Sequence, residues 1–114
     1  MATEETTYIK ARYGIALKIL LEKNKKLKKS NDRKGIESKG FDYSYDGISS
    51  STGLRKATIS YIMNGKSDIK ATTLSAILLA LNFSFTQFAR IIDKITDDDI
   101  VVYLEQSKYK KSKN

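Results

Sequence analysis

Residues 44 to 65, SYDGISSSTGLRKATISYIMNG, hold two short apolar-periodic segments with a single glycine between them. Ile48 anchors the first segment, and Ile59 and Ile62 anchor the second. Gly53 is the only residue between these anchors that takes a left-handed backbone without penalty, because it carries no Cβ to strike the neighbouring carbonyl. The segment predicts a helix, a tight turn and a second helix, stopped by Asn64 and Gly65.

The 114 residues fit one domain, and 40% hydrophobic content fills a single small core. Proline is absent and Lys, Ile and Leu are frequent, so neither kinks nor regular hairpin turns interrupt the helical periodicity. The expected fold class is all-α. With no Cys and no His, the chain has no disulfide, no cysteine or histidine metal site and no imidazole relay. No paired-carboxylate, phosphate-loop or nucleophile constellation is present either. These absences point away from an enzyme and imply neither cofactor nor metal. No run of ~18 apolar residues occurs, and the opening MATEETTYIK lacks the basic-then-apolar layout of a secretory signal. The expectation is a cytoplasmic protein with no membrane partner.

The formal charge is +8, and it is polarised along the chain. Residues 1 to 40 carry 11 basic and 5 acidic side chains, residues 41 to 70 carry 4 and 3, and residues 71 to 107 carry 2 and 5. The last seven residues add four lysines. Such a bias favours a polyanionic partner such as nucleic acid, although solvated lysines on a basic protein produce the same composition.

Ile9, Tyr13, Ala16, Leu17, Leu20 and Leu27 recur at steps of three and four, which predicts an amphipathic first helix from about 6 to 28. Periodicity is then lost in KSNDRKGIESKG, so a flexible insertion is expected over about 29 to 41, with Ile36 as its one candidate core residue. Phe41 or Tyr43 can plug the entry to the next helix. Ser44 is the expected N-cap of that helix, and Asp46 lies in its first turn, favourably placed against the helix dipole. A third helix is expected from Lys56 to Asn64, and a fourth from Lys70 or Ala71 to Asn82 with Leu74, Ile77, Leu78 and Leu81 inward. Ser84 and Gln87 have capping-box spacing, which starts a fifth helix that places Phe85, Phe88 and Ile92 inside. Thr96 and Asp99 repeat the signature and predict a sixth helix over about 97 to 106. The β-branched IVVYL run at 100 to 104 leaves a short strand as the alternative.

Through ISSSTGL, ATISYIMNGK and TLSAILLALNFSFTQF, residues 44 to 88 resemble the helix-turn-helix domain of the Cro/C1 repressor family, also called the XRE family. With the first helix included, the resemblance covers most of residues 6 to 92. It implies a five-helix lambda-repressor-like domain, here with a long insertion between helices one and two and an extra C-terminal helix. The implied organisation is a single domain over 1–107, a helix-turn-helix unit at 44–65 and a basic tail at 108–114. It further implies sequence-specific binding of double-stranded DNA by a transcriptional regulator, most simply a repressor, with helix three in the major groove.

Residue by residue, the resemblance puts Arg55, Lys56, Ala57 and Tyr61 at base-reading positions. Thr58 joins them, since Ala57 or Thr58 can touch a thymine methyl, while Arg55 and Lys56 can donate to guanine O6 and N7. Ser44, Tyr45, Asn64, Lys66 and Lys70 match phosphate-contact positions. At about 100° per residue, Ile59, Ile62 and Met63 fall on one side of helix three, and Ala57, Thr58, Tyr61 and Asn64 on the other. The second set offers a hydroxyl, a phenol, an amide and a methyl, a face suited to base edges and phosphates.

The chain departs from the family pattern at three places. Met63 stands where the family usually has Glu, so apolar packing replaces an ion pair with helix one. Arg55 replaces a common capping hydroxyl. The insertion, which carries Lys28, Lys29, Arg33, Lys34 and Lys39, either reaches DNA or is disordered. Two further readings accompany the first. A homodimer would read two half-sites about one helical turn apart. Alternatively, residues 93–107 contact a protein partner, as in an antitoxin or a mobile-element factor.

Overall fold

The fold was analysed in a computed structural model that describes residues 4–112. It is all-helical, with no strand among the described residues: α1 (Glu4–Arg33), α2 (Tyr45–Thr52), α3 (Lys56–Met63), α4 (Ala71–Leu81), α5 (Phe85–Lys94) and α6 (Asp97–Ser112). Helix α1 is the spine. It packs on α3, α4, α5 and α6, while α2 is held between α3 and α4. Leu17 and Leu20 of α1, Ile48 of α2, Ile59 and Met63 of α3, Ile77, Leu78 and Leu81 of α4, and Ile100 of α6 are fully buried in one core. At roughly 1.5–3 kcal/mol for each large apolar side chain removed from water, this cluster is the main source of cohesion.

Local chemistry places the helix ends. The Ser44 hydroxyl accepts from the Gly47 N–H at 3.0 Å to start α2. Gly53, at φ +78°, ends that helix by returning its N–H to the Ser49 carbonyl. Asn82 adopts the left-handed region at φ +65° to close α4. Both halves of the Ser84–Gln87 capping box are made. Thr96 and Asp99 exchange a second reciprocal pair at 2.9 and 3.1 Å. That pair, with Ile100 buried and Tyr103 and Leu104 packed on the core, decides residues 100–104 for helix over strand. Spacing of three and four buries these residues together, whereas alternation would separate them.

Helix α1 is longer than its periodicity predicts. It runs to Arg33, so residues 29–33 of the expected insertion are helical. The Lys28 ammonium contacts the Asp32 carboxylate one turn on at 2.6 Å, an attractive i,i+4 pair. The helix then ends where a glycine permits it. Gly35 is left-handed, and the N–H groups of Gly35 and Ile36 return to the carbonyls of Asp32 and Asn31. At its other end the chain is also more helical than expected, since α6 carries the backbone to Ser112, well into the stretch read as a tail. Residues 113–114 of that tail and residues 1–3 of the expected domain lie outside the described residues.

Four expected core side chains are exposed. Ile9 is 52%, Leu27 47%, Ile36 53% and Phe85 53% exposed. Leu27 lies past Asn24, the last buried residue of α1, and Ile36 lies in the connection after that helix. Phe85 opens α5 and sits roughly a quarter-turn away from the inward face centred on Phe88, Ile91 and Ile95. In place of Ile9, Ala11 faces inward, because the backbones of α1 and α3 meet there. A Cβ on Gly14 would come within 2.9 Å of the Met63 carbonyl oxygen, and one on Gly65 within 2.9 Å of the Ala11 Cα. Only small residues allow this approach.

Among the described residues, Asn24 is the one buried polar side chain, 4% exposed. Its amide donates to the Asp42 carbonyl at 2.8 Å and to the Leu81 carbonyl at 2.9 Å. The Asp42 N–H donates in turn to the Ala80 carbonyl. The segment entering α2 is thereby tied to both α1 and the end of α4.

Candidate nucleic-acid interface

Helix α3 buries Ile59, Ile62 and Met63, and its other flank is open. Arg55, Lys56, Ala57, Thr58 and Tyr61 are all exposed, Tyr61 at 56%. All five residues expected to read bases are thus accessible: Ala57, Thr58 and Tyr61 lie on the flank opposite the buried residues, and Arg55 and Lys56 stand at the exposed start of the helix. Arg55 precedes the helix with an extended backbone and makes no side-chain cap, so its guanidinium is not committed to the helix end.

The turn before α3 is fixed by side chains rather than by Gly53 alone. The Ser49 hydroxyl donates to the Leu54 carbonyl at 2.6 Å. Thr52 donates its hydroxyl to the Ile48 carbonyl at 2.7 Å and accepts from the Leu54 N–H at 3.1 Å. Across the turn, the Lys56 ammonium pairs with the Asp46 carboxylate, linking the first turns of α2 and α3. Both groups remain exposed, so the pair is open to exchange with another anion.

The five expected phosphate contacts divide into two groups. Ser44 lies half-buried at the start of α2, and Lys66 and Lys70 are exposed cations after α3. Tyr45 and Asn64 are committed within the chain. The Tyr45 ring packs on the core, and burial, with the Glu22 carboxylate adding to it, raises its pKa. Asn64 donates to the Ser60 hydroxyl at 3.2 Å and accepts from the Lys18 ammonium at 2.8 Å.

Residues outside the predicted set hold the C-terminal end of α3. The Tyr103 hydroxyl donates to the Met63 carbonyl at 2.7 Å. The Lys18 ammonium lies 5.2 Å from the centre of the Tyr103 ring. A cation near the last carbonyls of a helix complements their partial negative charge. Burial pushes the Tyr103 pKa up to about 12, with Tyr45 adding to the shift. The sequence signal for this cluster was faint, since a lysine on α1 and a tyrosine fifty residues after the turn share no local pattern.

Among the described residues no group of three His, Cys, Asp or Glu side chains gathers to hold a metal ion. No single helix there is long and apolar enough to cross a membrane. No family model, curated protein or solved structure matches the chain.

Proposed function

We propose that this protein binds double-stranded DNA sequence-specifically as a cytoplasmic transcriptional regulator, most simply a repressor, without catalysis or cofactor. In this reading α2 and α3 form a helix-turn-helix unit of Cro/C1 type, with α3 in the major groove. The observation that carries it is the division of α3: Ile59, Ile62 and Met63 are buried in the core, while Ala57, Thr58 and Tyr61 on its opposite flank, and Arg55 and Lys56 at its start, are exposed. Arginine and lysine read guanine edges, and methyl groups read thymine. Ser44, at the start of α2, and Lys66 and Lys70, after α3, supply phosphate contacts that set the register.

Selection of bound duplexes from a random pool, followed by replacement of Arg55, Lys56 and Tyr61 together by Ala, tests the reading. The triple variant loses discrimination among duplexes while its far-UV circular dichroism is unchanged. Retention of the wild-type preference overturns the assignment of this face.

A second reading draws on α6, where Val101 and Val102 are exposed at 39% and 52%. That apolar patch within 93–107 suits a protein partner, as for an antitoxin. A partner that is retained in nuclease-treated extract and lost on Val102→Asp supports it.

A further inference from the structure

We infer that the C-terminal half of α1 is a second nucleic-acid-binding element, a rigid basic arm that holds the DNA backbone flanking the site proposed for α3; the inference rests on the DNA-binding reading above. Charge distribution is the first ground. Residues 23 to 34 carry seven basic side chains and one acidic, whereas residues 41 to 70, which include the proposed reading helix, carry four and three. A polyanion is therefore attracted more strongly by the arm than by the segment that holds the proposed reading helix.

Rigidity is the second ground. The stretch is not a loose loop: it continues the helix to Arg33 and is closed by the Gly35 cap. At 1.5 Å per residue α1 is about 45 Å long, and the longest dimension of the molecule is 46 Å. The helix therefore spans the whole protein and carries its last turns past the core. Its root is fastened beside the entry to α2. Asn24 holds the Asp42 carbonyl, Asn31 donates to the Ser38 hydroxyl at 3.0 Å, and the Lys28 ammonium lies 5.4 Å from the centre of the Tyr43 ring.

Direction is the third ground. Glu22, Lys26, Lys29 and Arg33 are spaced i, i+4, i+7 and i+11, which puts them in one row. Glu22 is the carboxylate that acts on Tyr45, the first residue of α2, and it lines one shallow cleft with Lys26 and Tyr103. The row advances along α1 for about 10 Å between Lys26 and Arg33, on the open flank opposite the one on which Asn24, Lys28 and Asn31 hold the entry to α2. Lys25, Lys28 and Lys39 have carboxylate partners in Glu22, Asp32 and Glu37. Lys26, Lys29 and Arg33 are exposed and make no ion pair among the described residues. A track of evenly presented cations on the open flank of a helix rooted beside the entry to α2 matches the regular charge of a phosphate backbone.

The salt dependence of binding to a mixed-sequence duplex of about 30 base pairs tests this, because each phosphate neutralised contributes about −0.9 to the slope of log K against log salt. Lys26→Gln with Lys29→Gln should make the slope shallower by about 1.8. Arg90→Gln with Lys94→Gln removes the same charge from exposed positions of α5 and should leave the slope unchanged. Equal slopes for the wild type and the arm variant overturn the arm and leave the reading of α3 standing. An equal change in both double variants reduces the effect to net charge and also overturns it. Failure of the wild type to bind this duplex or any selected one overturns both proposals.

Discussion

The hydroxyl of Tyr103 donates to the carbonyl oxygen of Met63 at 2.7 Å, joining the last helix of the chain to the C-terminal end of α3. Lys18 completes the junction from α1, through its contact with the Tyr103 ring and its hydrogen bond to Asn64. Helix α3 has only eight residues, too few to be stable without tertiary support. Its orientation is set by these contacts as much as by its own buried isoleucines.

Tyr103→Phe keeps the ring and removes the hydroxyl, so it isolates that bond. The expected loss is about 0.5–1.5 kcal/mol, read as a lower urea midpoint with an unchanged m-value. The same residue gives a pH dependence of known sign. Its folded pKa of about 12 lies above the ordinary tyrosine value of 10.0, so the protonated phenol is favoured in the native state. The stability this contributes is complete below pH 10 and is lost as pH rises through 12. Urea midpoints measured across that window should fall more steeply for the wild type than for Tyr103→Phe, and parallel curves would show that the phenol is not coupled to folding.

Gly14→Ala reverses the usual propensity rule. In an exposed helix interior the substitution stabilises by about 1 kcal/mol. Here the new methyl meets the Met63 carbonyl oxygen at 2.9 Å, the Gly65 nitrogen at 3.0 Å and the Ile62 carbonyl oxygen at 3.1 Å. All three are backbone atoms, which cannot rotate away, so α1 and α3 must separate. A net loss of about 1–3 kcal/mol is expected. A thermal midpoint above that of the wild type would mean that the two helices are not in backbone contact.

Asp46 pairs with Lys56, one of the residues proposed to read bases. Removing its charge releases the ammonium and takes an anion away from the approaching phosphates. Asp46→Asn should tighten DNA binding by up to about fivefold, the ~1 kcal/mol ceiling of an exposed ion pair. It should also weaken α2 by about 0.3–1 kcal/mol through the lost interaction with the helix dipole. Anisotropy titrations paired with urea unfolding separate the two effects. Weaker binding at unchanged stability would place Asp46 among the groups that position α3 for DNA.

The readable parts of this chain are those where a few neighbouring residues settle the outcome. Ser44, Gly53, Asn82, the Ser84–Gln87 box and the Thr96–Asp99 box end their helices through bonds within three or four residues, and each is found where the sequence predicts it. The open flank of α3 was legible for a similar reason, since Ile59, Ile62 and Met63 have helical spacing. The extent of α1 was not. Its last turns have little apolar content, and their helicity depends on the Lys28–Asp32 pair and the Gly35 cap. Nor did periodicity reveal which apolar side chains would lack a partner, because the exposure of Leu27 and Phe85 depends on where the other helices stop. The isolated Gly14 drew no expectation from the sequence, because a lone glycine in a helical pattern does not identify the backbone it meets. Asn24 drew none either, although it is a polar residue on the same face as Leu17, Leu20 and Leu21.

Asn24→Leu tests whether that polar residue sets the position of the interface as well as the stability of the core. Leucine suits the apolar face of α1 and has the same branched side-chain skeleton with somewhat bulkier ends, so the change removes the donors without opening a cavity. Two carbonyls, on Asp42 and Leu81, then lose the donor they hold now. Leaving a buried acceptor unsatisfied costs about 1–3 kcal/mol, so the expected loss is of that order or greater. The consequence extends beyond stability, because Asp42 lies two residues before Ser44. With its carbonyl released, Asp42 keeps its N–H bond to Ala80 but loses its tie to α1, and both the start of α2 and the root of the basic arm gain freedom. Amide hydrogen exchange should therefore quicken at Gly47 and Ile48 more than at Phe88 and Ile100, which are remote from the lost bonds. Uniform acceleration at all four amides would assign Asn24 to global stability alone and leave the placement of α2 to the Ser44 cap.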